Sequence, residues 1–140
     1  INASHNVGSI QEGGVSLATG VQDLSLTVAN GLRQQGEVGT KEVRGIGFSR
    51  FTVTGTLTVY CENGNLWAKF LAHSKSSIHF RLIDTDGDRY IFTFPHVKFL
   101  TDDIVVGGND QDVMETIGWQ ALLDTDTGIT MQIDKFTASM

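Results

Sequence analysis

Phe51 to Cys61 alternates almost without a break. Phe51, Val53, Leu57, Val59 and Cys61 fall on one parity, with Gly55 among them, and Thr52, Thr54, Thr56, Thr58 and Tyr60 fall on the other. Side chains of a strand point to its two faces in turn, so this is a long strand with an apolar face and a threonine face. The period then changes. Leu66, Trp67, Phe70 and Leu71 recur at helical spacing after Glu62-Asn63-Gly64-Asn65, which offers an Asn as N-cap. The spacing predicts one short amphipathic helix over about residues 64–73, with those four apolar side chains as its core contacts. No other segment has so clear a helical period.

The remaining periodic segments read as strands. Ile1 to Gly20 is a Gly/Ser/Asn-rich opening with a short edge strand near Val15 to Leu17. Val21 to Asn30 alternates, with Leu24, Leu26 and Val28 on one face. Ser76 to Asp84 and Arg89 to Phe94 flank Thr85-Asp86-Gly87-Asp88, a hairpin signature because Asp-Gly accepts positive φ cheaply. Pro95-His96 is expected to break the chain before a further strand at Val97 to Leu100. Thr101 to Asp112 reads as a connection, Val113 to Leu123 as a strand, Asp124 to Gly128 as a turn and Ile129 to Phe136 as the last strand. The inventory is mainly β, about seven or eight strands with one flanking helix. Its simplest packing is an antiparallel β-sandwich or partly closed barrel.

One stretch resists the pattern. Residues 31–48 carry glycines, no sustained period and both charge signs. Loops this long are uncommon inside compact domains. It is either a partner-contacting arm or a surface loop. Arg33, Glu37, Val38, Lys41, Glu42, Val43, Arg44 and Ile46 are the contact candidates, since a purely solvated loop has no need of the apolar ones.

Composition narrows the function. The 140 residues fit one domain, and a single proline with 16 glycines suits strands and turns. A net charge of −6 argues against tight, sequence-independent binding of nucleic acid, which needs a clustered basic surface. The single cysteine, Cys61, forms no internal disulfide. No signal peptide or bilayer-length apolar run is legible, so no membrane partner is expected. The chain opens on Ile1, and the expectation is a domain of a longer or processed protein.

Catalytic groupings are missing from the sequence. Asp84, Asp86, Gly87 and Asp88 match only the start of a calcium loop, without its later ligands. His5, His73, His79 and His96 have no metal-ligand spacing with one another or with Cys61. There is no phosphate loop, dinucleotide fingerprint or nucleophile elbow. Asp102-Asp103 is the kind of carboxylate pair loops carry without catalysis. Neither an enzyme nor a cofactor is expected.

Several stretches in one order are more specific than this chemistry. They are NVGSI and EGG within Asn6 to Gly14, the loop after Asn30-Gly31-Leu32-Arg33, and RFTVTGTL at Arg50 to Leu57. KFL at Lys69 to Leu71, YIFTFPHVKF at Tyr90 to Phe99 and GGNDQDVM at Gly107 to Met114 follow. The series closes with QALLD from Gln120 and Met131-Gln132-Ile133-Asp134. Together they resemble the C-terminal half of a tail tube protein of long-tailed, non-contractile bacteriophages and prophages. The resemblance spans nearly the whole chain.

The resemblance implies a structural virion protein, assembled in the host bacterial cytoplasm. It implies β domains with a flanking helix that form rings, stacked around a channel for DNA. Its partners would be copies of itself, other tail proteins and DNA passing without specific binding. Chains with two such domains would form trimeric pseudo-hexamers and single-domain chains hexamers. Under this reading residues 31–48 are an inter-ring arm. Thr52, Thr54, Thr56 and Thr58 are then a candidate lumen wall, the alternative being an ordinary solvated face. Two other functions compete: a non-polymerising tail terminator or baseplate ring component, and a carbohydrate-binding sandwich using Tyr60, Trp67 or Trp119.

Overall fold

The computed structural model describes residues 7–17, 20–39 and 41–138. Its strands are β1 (Val7–Glu12), β2 (Val15–Ser16), β3 (Val21–Ala29), β4 (Arg33–Gly36), β5 (Val43–Gly47) and β6 (Thr52–Tyr60). Helix α1 (Asn65–Leu71) follows, then β7 (Ser76–Ile83), β8 (Arg89–Val105), β9 (Met114–Ala121) and β10 (Gln132–Phe136). Eight strands form one antiparallel sheet in the order β2-β1-β7-β8-β9-β6-β3, with β10 paired to β8. The sheet is not closed into a barrel. β4 and β5 form a separate two-stranded sheet.

Strand β8 organises the sheet. Residues 89–93 pair with both β7 and β10, and Val97 pairs with both Ser76 and Ala121. Each strand has two edges, so β9 and β10 lie end to end along one edge of β8 and β7 along the other. The 17 residues of β8 run through Pro95 and on to Val105, where a break and a connection were expected. A register shift between Ser76 and Ile78 opposite this point absorbs the proline, which has no N–H to give the ladder. β1 is a further departure: the opening stretch carries a strand at Val7–Glu12, while residues 1–6 lie outside the described residues.

The core lies on the inner face of the curled sheet. Val53, Leu57 and Val59 of β6 meet Ile78, Phe94, Val97, Ile117 and Trp119, all essentially without solvent exposure. Phe94 and Trp119 rings lie 5.2 Å apart, a tilted aromatic contact. Gly55 interrupts the apolar parity of β6 for a physical reason. A Cβ there would sit 2.3 Å from the Ser25 carbonyl oxygen and 2.6 Å from the Trp119 ring. The Asp-Gly turn forms as expected, with Gly87 at φ 87° and the Asp84 N–H bonded to the Asp88 carbonyl at 2.8 Å.

Helix α1 spans seven residues and is shorter than the predicted 64–73. Gly64 is its N-cap with no side-chain cap bond, and Asn63 Oδ1 instead accepts from the Asn65 N–H at 3.2 Å. Its apolar stripe splits. Leu66 is buried and Phe70 packs against the core, whereas Trp67 and Leu71 are 37% and 59% exposed. Residues one apart on a helix differ by about 100°, so the two i,i+4 pairs cannot both face the same core.

Candidate assembly surfaces

Residues 31–48 form a β-hairpin, not the irregular loop that their composition suggested. Arg33 pairs with Gly47, Gln34 with Ile46 and Gln35 with Gly45, and a register shift follows before Gly36 meets Val43. Gly39, at φ 99°, helps turn the hairpin. Thr40 lies outside the described residues. Among the described residues β4 and β5 pair only with each other, so the hairpin is a sheet separate from the main one.

Of the candidate arm residues, Arg33, Glu37, Lys41, Glu42 and Arg44 are all exposed. Val38 is fully exposed, Val43 is 48% exposed and Ile46 is 63% exposed. Leu32 and Phe48, at the hairpin base, are 57% and 86% exposed. Each exposed apolar side chain costs hydration free energy that burial would recover, at about 25 cal/mol per Å2.

The threonine face is a broad polar surface. Thr54 and Thr56 are exposed, and Thr52 and Thr58 are half-buried. Register places Thr27 and Gln120 beside Thr54, Ser25 beside Thr56, and Thr116 beside Thr58. Ser25 and Thr56 hydroxyls are hydrogen-bonded at 2.7 Å, and Thr58 and Thr116 hydroxyls at 3.4 Å. Gly118, opposite Thr56, is covered by the Thr101 hydroxyl. Side chains opposite one another on paired strands share a face, so four strands contribute hydroxyls or amides to one surface. Such a surface is wettable and offers no basic cluster for phosphates to grip.

Two ion pairs fix the ends of the sheet. Lys69 of α1 reaches Glu12 of β1 at 2.6 Å, and Ser76 also donates to that buried carboxylate. Lys75 pairs with Asp124, which is buried in the loop before β10 and also accepts from Thr127 at 2.8 Å. The Lys75 bond, then the Thr127 hydroxyl, hold the Asp124 carboxyl down to about 2.

One buried group escaped the sequence reading. Leu100 is an extra residue between Phe99, opposite Trp119, and Thr101, opposite Gly118. This bulge flips the parity of β8, so Asp102 turns to the inner face near Glu115 of β9. Glu115 is 1% exposed. Burial, then the Asp102 carboxylate, push its carboxyl up to about 7, while a hydrogen bond involving Cys61 pulls the other way. Asp102 is itself raised, chiefly by burial. Among the described residues no group of three or more His, Cys, Asp or Glu side chains is placed to hold a metal ion. No helix among them is long and apolar enough to cross a membrane.

The aromatic candidates for sugar binding do not come together as a platform. Trp119 is buried at 1% exposure, and Tyr60 and Trp67 are each 37% exposed.

Among the described residues, a curled antiparallel sheet, one short helix and a separate hairpin make a β-rich module. The chain belongs to the phage tail tube protein family, whose model matches residues 1–121. It is accordingly a structural protein of a phage tail and not an enzyme. Solved structures share the fold, three of which follow. One is from the baseplate of the anti-feeding prophage, solved with 6-fold symmetrisation. It is 13% identical with a TM-score of 0.58, and the match covers 100% of this chain and 98% of the other. Hcp1 from Flavobacterium johnsoniae is 10% identical, with a TM-score of 0.53 over 95% and 99% of the two chains. A type six secretion system protein is 14% identical, with a TM-score of 0.52 over 94% of each. Comparison with curated proteins gave no match.

Proposed function

We propose that the chain is the self-assembling subunit of a tail tube, in which rings of copies stack around a channel that conducts DNA to the host. The observation that carries this reading is the arm, a formed hairpin with exposed Val38, Ile46 and Phe48 and, among the described residues, no strand partner outside itself. In the tube the arm contacts the next ring, and residues 33–46 supply the apolar and charged groups that it buries there. The hydroxyl face carried by Thr52, Thr54, Thr56 and Thr58 lines the lumen. There it presents water-binding groups, with Lys98 beside Gln120 but no basic cluster, so a passing duplex is not held. A chain with only this domain needs six copies for a ring, and a chain with a second such domain needs three. Assembly takes place in the host cytoplasm, on a tail of the non-contractile type.

A baseplate ring is the second reading, favoured by the likeness to a chain of the anti-feeding prophage baseplate. Sedimentation velocity over a concentration series separates the two. A tube subunit gives species that grow without limit as concentration rises. A baseplate ring gives one discrete oligomer, and a chain that stays monomeric at every concentration contradicts both.

A further inference from the structure

The outer face of the sheet carries a recess where β7, β8 and β10 run side by side. Register sets Arg81, Ile91 and Asp134 in one row across the three strands, and Ile83, Arg89 and Phe136 in the next. Opposite residues share a face, and every second residue of a strand returns to it. All six therefore lie on the face away from Phe80 and Phe92. The recess has a volume of about 520 Å3, within the roughly 300–1,000 Å3 of small-molecule sites. Arg81 and Arg89 line it together with Ile91, Phe136 and Ala138. The segment after β10 is fixed as one wall, because the Ala138 N–H donates to Asp88 Oδ1 at 3.0 Å.

The two cations of the recess are unpaired. Among the described residues neither Arg81 nor Arg89 has an ion-pair partner, and the ion pairs there all use lysines. Arg81 Nε is shut off from solvent and has no hydrogen-bond partner. A buried charged donor without an acceptor is costly, and native proteins seldom leave one. The guanidinium is nonetheless held in place. At a bulge of β1, Gly8 and Ser9 stand against the single residue Arg81 of β7. A Cβ on Gly8 would sit 2.8 Å from Arg81 Nε and 3.2 Å from Nη2, so the glycine makes room for the charged head. The nearby carboxylates of Asp134 and Asp88 are engaged elsewhere. Asp134 accepts from Gln132 Nε2 at 2.9 and 3.0 Å, and Asp88 lies 3.9 Å from Lys135 Nζ.

We infer that this recess is a binding site for a carboxylate carried on an apolar body. Arg81 and Arg89 take the carboxylate, and Ile91, Phe136 and Ala138 cover the apolar part. Diagonal neighbours on paired strands stand about 7–8 Å apart, a span that two arginine side chains close on one oxyanion. A free phosphate would leave the apolar wall without a use. Two cations flanked by Asp88 and Asp134 are not the basic stripe that a nucleic-acid backbone needs. The site lies within one chain, so it stands or falls apart from tube assembly.

Nuclear magnetic resonance titration of the chain tests it, read at the amides of residues 87–91 and 136–138. The probe is N-acetylphenylalanine, a chain end with a free carboxylate, and it should give saturable shifts there. Its amide, which lacks the charge, and inorganic phosphate, which lacks the apolar body, should each bind at least about tenfold more weakly. 3-Phenylpropionate separates the sources. Binding equal to the probe assigns the site to small organic acids, and binding about tenfold weaker assigns it to chain ends. Arg81→Gln and Arg89→Gln should each weaken the probe by about tenfold or more, and Gly8→Ala should weaken it by displacing the Arg81 head. Arg89 is exposed, so Arg89→Gln keeps the fold and decides the matter even where Arg81→Gln does not fold. Four results overturn the inference: no saturable shift at these amides, an amide that binds like the acid, phosphate that binds as tightly as the acid, or an Arg89→Gln chain that binds like the native one.

Discussion

Glu115 is a carboxyl side chain on the apolar side of its sheet. An unfolded glutamate titrates near 4.5, whereas burial and Asp102 push this one up to about 7. Between those values the folded chain holds a proton that the unfolded chain has released. Its contribution to stability is therefore full at lower pH, declines as pH rises through that window, and levels off above it. Glu115→Gln removes the titration and keeps the shape. The melting temperature of the native chain should fall between about pH 5 and pH 8, and the variant should lack most of that slope, standing about 4 °C or more above native at the upper end. Equal slopes for both would mean that other groups set the pH dependence. The pair was illegible in the sequence because Asp102-Asp103 resembles any acidic loop. Only the bulge at Leu100 decides that Asp102 faces inward. Gly55 shows the opposite case. Its place in the apolar parity was plain, but its partner Trp119 is far along the chain. Gly55→Ala should cost about 1–3 kcal/mol by overpacking, and Trp119→Ala about 3–5 kcal/mol by leaving a cavity. Urea unfolding measures both, and a neutral Gly55→Ala would contradict the close approach of β3, β6 and Trp119.

Elements with a clean period could be read directly. β3, β6, β7 and the Asp-Gly hairpin follow from alternation, and α1 follows from the change of period after Cys61. The arm could not be read this way. Gly36, Gly39, Gly45 and Gly47 interrupt its alternation, and its strands bury too little of their own apolar surface to force a pattern. Pro95 misled in the other direction: it sits in a bulge of β8 itself, where Pro95 and His96 stand against the single residue Ser77 of β7, and strand pairing resumes beyond it. Deleting residues 36–45 should leave the main sheet folded, since among the described residues β4 and β5 pair only with each other, while abolishing tube growth. Thermal unfolding and electron microscopy on one sample decide this, and normal tubes from the deletion would sink the arm assignment. Helix α1 is held more by its ion pair than its seven residues suggest. Lys69→Ala leaves the buried Glu12 carboxylate with Ser76 as its remaining side-chain partner and should cost about 2 kcal/mol in urea unfolding. A change within error would make the pair ornamental.

For the whole molecule, the curled sheet supplies a core and leaves two features without a use inside one chain. They are the hydroxyl face and the separate arm. A catalyst would gather titratable groups at a cleft. Here the perturbed carboxyls are buried, and the exposed features are edges and faces. The sequence motifs that carried the family include stretches of the main strands, such as Arg50 to Leu57 leading into β6 and Tyr90 to Phe99 within β8. They could not say which face meets another copy, since one alternating pattern serves a solvated wall and a lumen equally well. Electron microscopy of the concentrated protein, in side and end views, tests the central claim most directly. The account predicts stacked rings with an open central channel. Particles that remain monomeric, or rings that never stack at any concentration, would contradict it.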